Sequence, residues 1–93
     1  MKIQIDPHTL DRALERGADQ SEIIDVIQKG TPVDAKYGYS GRFLVYPFNK
    51  ERNEKYYKEK KVAVYYAQKP ALIVTVTVYV FYGVWSKETI NEN

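Results

Sequence analysis

The apolar positions of the chain change period along its length, and the changes mark its elements. Lys2 to Ile5 predict a short first strand. Leu10, Ala13, Leu14 and Gly17 then follow the i, i+3, i+4, i+7 spacing of one helical face. Asp6 offers a carboxylate N-cap to that helix, and Pro7 suits its first position, where the N–H that proline lacks would have no partner. Gly17 suits a left-handed C-terminal cap. A second helix is expected almost at once. Asp19 and Glu22 nearly match a capping box, and Ile23, Ile24, Val26 and Ile27 supply a broad apolar face. Gly30 supplies its stop and Pro32 prevents continuation. Two short helices joined by a tight turn form a helical hairpin.

From Val33 the period becomes two. Val33–Tyr37, Arg42–Phe48, Lys60–Gln68 and Ala71–Tyr82 are the strand candidates, with a turn at Gly38–Gly41. Pro47 marks an edge or a bulge. Asn49 to Glu59 is polar and charged and predicts a long loop. In the last and strongest strand, Leu72, Val74, Val76, Val78 and Val80 form an aliphatic face expected to contact the helices. Thr75, Thr77, Tyr79 and Phe81 form the other face. Such a strand fits a sheet covered by helices on one side only. The expected fold is therefore α+β, in the order β-α-α-β-β-β, with the helical hairpin packed on one face of an antiparallel sheet. Residues 1–86 make a single domain, and residues 87–93 a polar C-terminal tail.

Composition narrows the chemistry. A chain of 93 residues supports one hydrophobic core. It has no cysteine, which removes disulfides and thiolate metal sites, and its single histidine argues against zinc. Neither a metal nor another cofactor is expected. The start of the chain is too quickly interrupted by polar residues to form a signal core. The longest apolar run, Ala71 to Trp85, contains Thr75 and Thr77 and falls short of the ~20 residues of a membrane helix. A soluble, cytoplasmic protein without a membrane partner is the expectation. The net charge of +2 does not by itself announce a nucleic-acid binder. Residues 50–61, however, gather Lys50, Arg52, Lys55, Lys58, Lys60 and Lys61 against Glu51, Glu54 and Glu59.

His8, Arg12 and Arg16 recur at a spacing of four in the first helix. On a helix they fall within an arc of roughly 80° beside the apolar face. An imidazole and two guanidiniums on one stripe can combine proton transfer with anion binding. The chain has no Gly-rich phosphate loop, no plausible Ser-His-Asp arrangement and no acid pair suited to glycoside hydrolysis.

The string His8-x3-Arg12-x2-Glu15-Arg16-Gly17, followed by a second short helix, resembles the domain-of-unknown-function family numbered 4258. Asn49 to Tyr57, Lys60-Lys-Val62 and Thr77 to Trp85 resemble one branch of it, so the likeness spans about residues 7 to 85. Val84 departs from the lysine that members often carry before the closing tryptophan. The family is similar in turn to the BrnT and RelE toxins of bacterial toxin–antitoxin pairs. The resemblance implies a RelE-like fold and metal-independent endoribonuclease or RNA-binding activity.

Metal-free RNA cleavage needs a base for the 2′-OH, an acid for the leaving 5′-oxygen and cations for the phosphorane. His8, with a reference pKa of about 6.5, could move the proton. Arg12 and Arg16 could hold phosphate oxygens, and Lys55, Lys60 and Lys61 could extend an RNA-binding field. Tyr79 could serve as acid, donor or base-stacking platform. Each has a structural alternative. His8 lies in the first helical turn, where the dipole disfavours an imidazolium. The arginines could pair with acids, the lysines could line a solvated loop, and the tyrosines could pack. Two further readings stay open. One is an RNA-binding protein that does not cut. The other is a non-catalytic module whose exposed sheet face or edge receives a partner, such as a small acidic antitoxin-like protein.

Overall fold

Residues 1–85 are described by the computed structural model. In chain order the elements are β1 (Lys2–Gln4), α1 (Pro7–Arg16), α2 (Gln20–Lys29), β2 (Thr31–Val33), β3 (Ser40–Arg52), β4 (Lys55–Lys69) and β5 (Leu72–Gly83). The polar tail expected at 87–93 lies outside the described residues. The fold is the α+β arrangement that the periodicity predicts, with its two helices after β1.

Local signals set the helices. The Asp6 carboxylate accepts the His8 and Thr9 amides at 2.9 and 3.4 Å and so starts α1. Gly17 ends it at φ 102°, and a Cβ there would also strike the Tyr82 hydroxyl. The capping box of α2 is complete. Asp19 accepts the Glu22 amide at 2.9 Å, and Glu22 Oε1 accepts the Asp19 amide at 3.0 Å. Gly30 ends α2 with an ordinary φ of −71°. Glycine is needed there for space, because a Cβ would press on the carbonyl oxygens of Val26 and Phe43.

The sheet runs β1-β5-β4-β3-β2. It is mixed rather than wholly antiparallel, because β1 joins β5 in parallel through Lys2–Leu72, Ile3–Ile73 and Gln4–Val74. The expected loop at Asn49–Glu59 is instead a continuous ribbon, in which β3 and β4 run on to an Arg52–Lys55 pair. Asn53 and Glu54 turn the chain, both at positive φ, 53° and 68°. This is the geometry that matches strand twist in a two-residue hairpin. A register shift between Pro47 and Lys50, with Asn49 at φ 50°, offsets the pairing of β3 with β4 at this point.

A second bulge changes the faces of β5. Tyr65 pairs with Thr77 but Tyr66 with Thr75, which leaves Val76 unmatched. Val78 and Val80 face the helices as expected. Before the bulge it is Ile73 and Thr75 that do so, not Leu72, Val74 and Val76, and Val76 is exposed. The core between helices and sheet centres on Ala13, Ile23, Val26, Val62, Val64 and Val78, all fully buried. Cross-strand rows Leu44–Val62–Val80 and Tyr46–Lys60–Tyr82 lie on this helix side. Phe43–Ala63–Tyr79 and Val45–Lys61–Phe81 lie on the opposite, helix-free face.

Beyond β1, the outer edge of β5 is occupied by α1. The Asp6 N–H donates to Thr75 Oγ1 at 2.9 Å, the Thr9 hydroxyl to the Val76 carbonyl at 3.2 Å, and Arg16 Nη1 to the Val78 carbonyl at 2.6 Å. Among the described residues, no helix is long and apolar enough to cross a membrane.

Candidate functional site

The three residues of the α1 stripe do different things. The His8 side chain is 95% exposed, and its Nδ1 lies 3.6 Å from Asp6 Oδ1, the oxygen that caps the helix. Arg12 is exposed one turn later. Arg16 is the last residue of α1, and its side chain leaves the stripe. It crosses the edge of β5 beyond β1, where its guanidinium carbon sits 5.5 Å from the centroid of the Tyr79 ring. Arg16 and Tyr79 are therefore brought together, on the border between the helix layer and the helix-free sheet face. His8 stands eight residues earlier, about 12 Å along the helix axis.

The lysines separate as well. Lys60, expected on an RNA-binding surface, is buried. Its position in β4 turns it toward the helices, where Nζ donates to the Gly17 carbonyl at 2.7 Å and contacts both Glu22 oxygens at 2.8 and 3.0 Å. Its neighbour Lys61 faces the other way. Its Nζ lies 4.4 Å from the Phe43 ring centroid and 5.9 Å from that of Trp85. Lys55 stands over Tyr57, 5.6 Å from its centroid, in the exposed far end of the ribbon.

Register assembles an aromatic surface that single residues did not announce. Tyr79 meets Tyr65 edge-on at 6.0 Å and neighbours Phe81 at 6.4 Å. Tyr79 is 45% exposed and Phe81 50%. Phe43 and Trp85 flank Lys61 on the same face. A cavity of about 290 Å³ opens beside Tyr79, walled by Tyr37, Tyr39 and Tyr65 with Lys36. The alternation of β4 and β5 could have pointed to Tyr65 and Phe81. Tyr37 and Tyr39 enter only through the fold of the turn before β3.

A larger cavity, about 430 Å³, lies on the helix side near the α1–α2 turn, between Leu14, Tyr46, Phe48 and the Lys60–Glu22 pair. Within it Lys60 and Glu22 pair, and Lys50 lies over the Phe48 ring. The Tyr46 hydroxyl donates to Asp25 at 2.8 Å, and burial first, then that hydrogen bond, pushes its pKa upward. Burial likewise raises Tyr82, whose hydroxyl donates to the Arg16 carbonyl at 2.6 Å. Among the described residues, no group of three or more metal-ligating side chains is found. No family model, curated protein or solved structure matches the chain.

Proposed function

We propose that this protein binds single-stranded RNA across the helix-free sheet face, with the α1 stripe along its border. The contact between Arg16 and Tyr79 carries the reading, since it puts a guanidinium directly on an exposed aromatic surface. Binding of unpaired strands combines cations that follow phosphates with π faces on which bases stack. Arg12, Arg16 and Lys61 supply the former; Tyr79 and Phe81 supply the latter, whereas Lys55, over Tyr57 and so beside Tyr82, belongs to the helix side. The resemblance to family 4258, and through it to BrnT and RelE, supports RNA as the ligand. Lys60 has no part in it, because its donors are spent on Gly17 and Glu22.

Binding is better supported than cleavage. A general base and its phosphate-holding cations must converge within hydrogen-bond reach of one nucleotide, whereas His8 lies at the far end of α1 from Arg16 and Tyr79. The parts of β5 and β3 that run past the short outer strands β1 and β2 are poorly suited to receive a partner strand. Thr9 and Arg16 occupy the edge of β5, and Pro47 with the adjacent bulge interrupts that of β3.

Fluorescence anisotropy with a labelled single-stranded oligoribonucleotide tests the reading. Affinity is expected to fall with added salt, and to fall roughly fivefold or more in Tyr79→Ala and Lys61→Ala. His8→Ala is expected to bind like the parent, with the RNA intact on a gel in EDTA. Folded protein that ignores RNA at low salt sinks the proposal, and co-purification of a small acidic protein would then favour the partner-binding alternative. Cleavage lost in His8→Ala would restore the nuclease.

A further inference from the structure

Building on the RNA reading, we propose that the tyrosine cavity is a pocket for one unpaired base of the bound strand. Tyr65 and Tyr79 form its fixed walls. Tyr65 is held over Gly41, where any Cβ would strike its ring, and Tyr79 meets it edge-on at 6.0 Å. Tyr37 and Tyr39 form the rim, on a turn closed by the Tyr39 N–H donating to the Lys36 carbonyl at 3.1 Å.

The rim carries an independent sign of use. Tyr37 and Gly38, the central residues of that turn, have φ of 61° and 76°. Glycine takes such values without cost, but a tyrosine is sterically penalised there. Packing does not offset the penalty, since Tyr37 is 89% exposed. A bulky ring held in a disfavoured conformation and offered to solvent at a cavity mouth is placed for a ligand.

Charge selects the ligand. Aromatic cages also suit alkylated ammonium groups. Here Lys36 lines the cavity, Arg16 lies over Tyr79, and no carboxylate lines it among the described residues, so a cation is repelled. An aliphatic peptide side chain would leave both cations unused. A planar base tethered to phosphate uses everything present: its ring between Tyr39, Tyr65 and Tyr79, its phosphates toward Lys36 and Arg16. The cavity and the Tyr79–Phe81 surface share Tyr79, so a strand crossing the face can drop one base into the pocket and stack the next outside it.

The test uses a short oligoribonucleotide with one 2-aminopurine, and its counterpart abasic at that position. In the parent protein, binding is expected to quench the fluorophore, and the abasic strand to bind roughly tenfold more weakly. Tyr39→Ala is expected to abolish the quench and equalise the two strands while keeping salt-dependent binding. Tyr37→Gly relieves the backbone penalty, so it should melt at the same temperature or higher and yet weaken the quench. A residue with a purely structural role would not show that combination. Equal affinity for both strands, or an unquenched fluorophore in the bound complex, overturns the pocket and leaves the sheet-face reading standing. No binding of either strand by folded protein overturns both.

Discussion

Replacing Lys60 by methionine keeps most of the aliphatic volume and removes the ammonium. The parent Nζ donates to the Gly17 carbonyl at 2.7 Å and contacts Glu22 at 2.8 Å, and the two side chains are only 11% and 19% exposed. The variant strands Glu22 as a mostly buried carboxylate that keeps only its capping bond from the Asp19 amide. Removing one member of a buried pair costs about 3–5 kcal/mol. The residual solvent at Glu22 places this case at or slightly below the lower end, about 2–3 kcal/mol. A domain of this size loses roughly 4–8 °C of Tm per kcal/mol, so a fall of about 10–20 °C is expected. Urea and thermal unfolding followed by circular dichroism measure both. The double variant Lys60→Met with Glu22→Gln removes the stranded charge but retains the cap acceptor, and should recover a good part of the loss. At a temperature where Lys60→Met is folded, its RNA affinity should equal the parent's. A stability loss below about 0.5 kcal/mol, as for a surface bridge, would refute the buried-pair reasoning. A clear loss of RNA affinity in the folded variant would return Lys60 to the binding surface.

Arg16→Met should lower stability by about 1–2 kcal/mol, because the Val78 carbonyl loses a charged donor, and should also weaken RNA binding, as read by denaturation and anisotropy on one preparation. Asp19 is held below its ordinary 3.8, first by the Glu22 amide and then by the Ser21 hydroxyl. Its stabilisation is therefore complete above the unfolded value and lost as pH falls through the lower native one. Asp19→Asn, also a good cap, should flatten the dependence of Tm between about pH 2 and pH 5. Tyr46 has the opposite sign: its native value lies above the ordinary 10.0, chiefly through burial. Its stabilisation is complete below about pH 10 and fades as pH rises through the native value. Tyr46→Phe should thus unfold at higher pH than the parent, with phenolate absorbance as the readout, despite losing about 1 kcal/mol at neutrality with the Asp25 bond.

The helices were legible because their signals are local. Asp6, Gly17, Asp19 and Glu22 each act within a few residues, and the caps form where the sequence puts them. The sheet was legible in order but not in register. At Asn49 and at Val76 one extra residue enters a strand, and the insertion at Val76 reverses which side chains of β5 face the core. Polarity misled in the ribbon between Asn49 and Glu59, since strands in an exposed hairpin need no apolar face. The Asn53–Glu54 turn lacks the glycine that normally advertises such a hairpin. Parallel pairing of β1 with β5 depends on where the whole intervening chain returns, which no local pattern records.

The site was half legible for the same reason. Spacing put Arg16 in line with His8 and Arg12, and that is true of the helix backbone. As the last helical residue, however, Arg16 reaches the part of the β5 edge that β1 does not pair, and the Val78 carbonyl there needs a donor. Satisfying it carries the guanidinium over Tyr79. The bulge at Val76 makes the arrangement coherent. It brings Thr75 to the helix side to receive the Asp6 N–H, presents the Val76 carbonyl to Thr9, and still leaves Tyr79 and Phe81 outward. Both ends of α1 are thus fastened to one strand, and the cation at its C-terminus is fixed relative to the aromatic row. The last cation of a basic stripe and an aromatic strand that look unrelated in the sequence are joined in one surface through the bonds that hold the helix on the sheet.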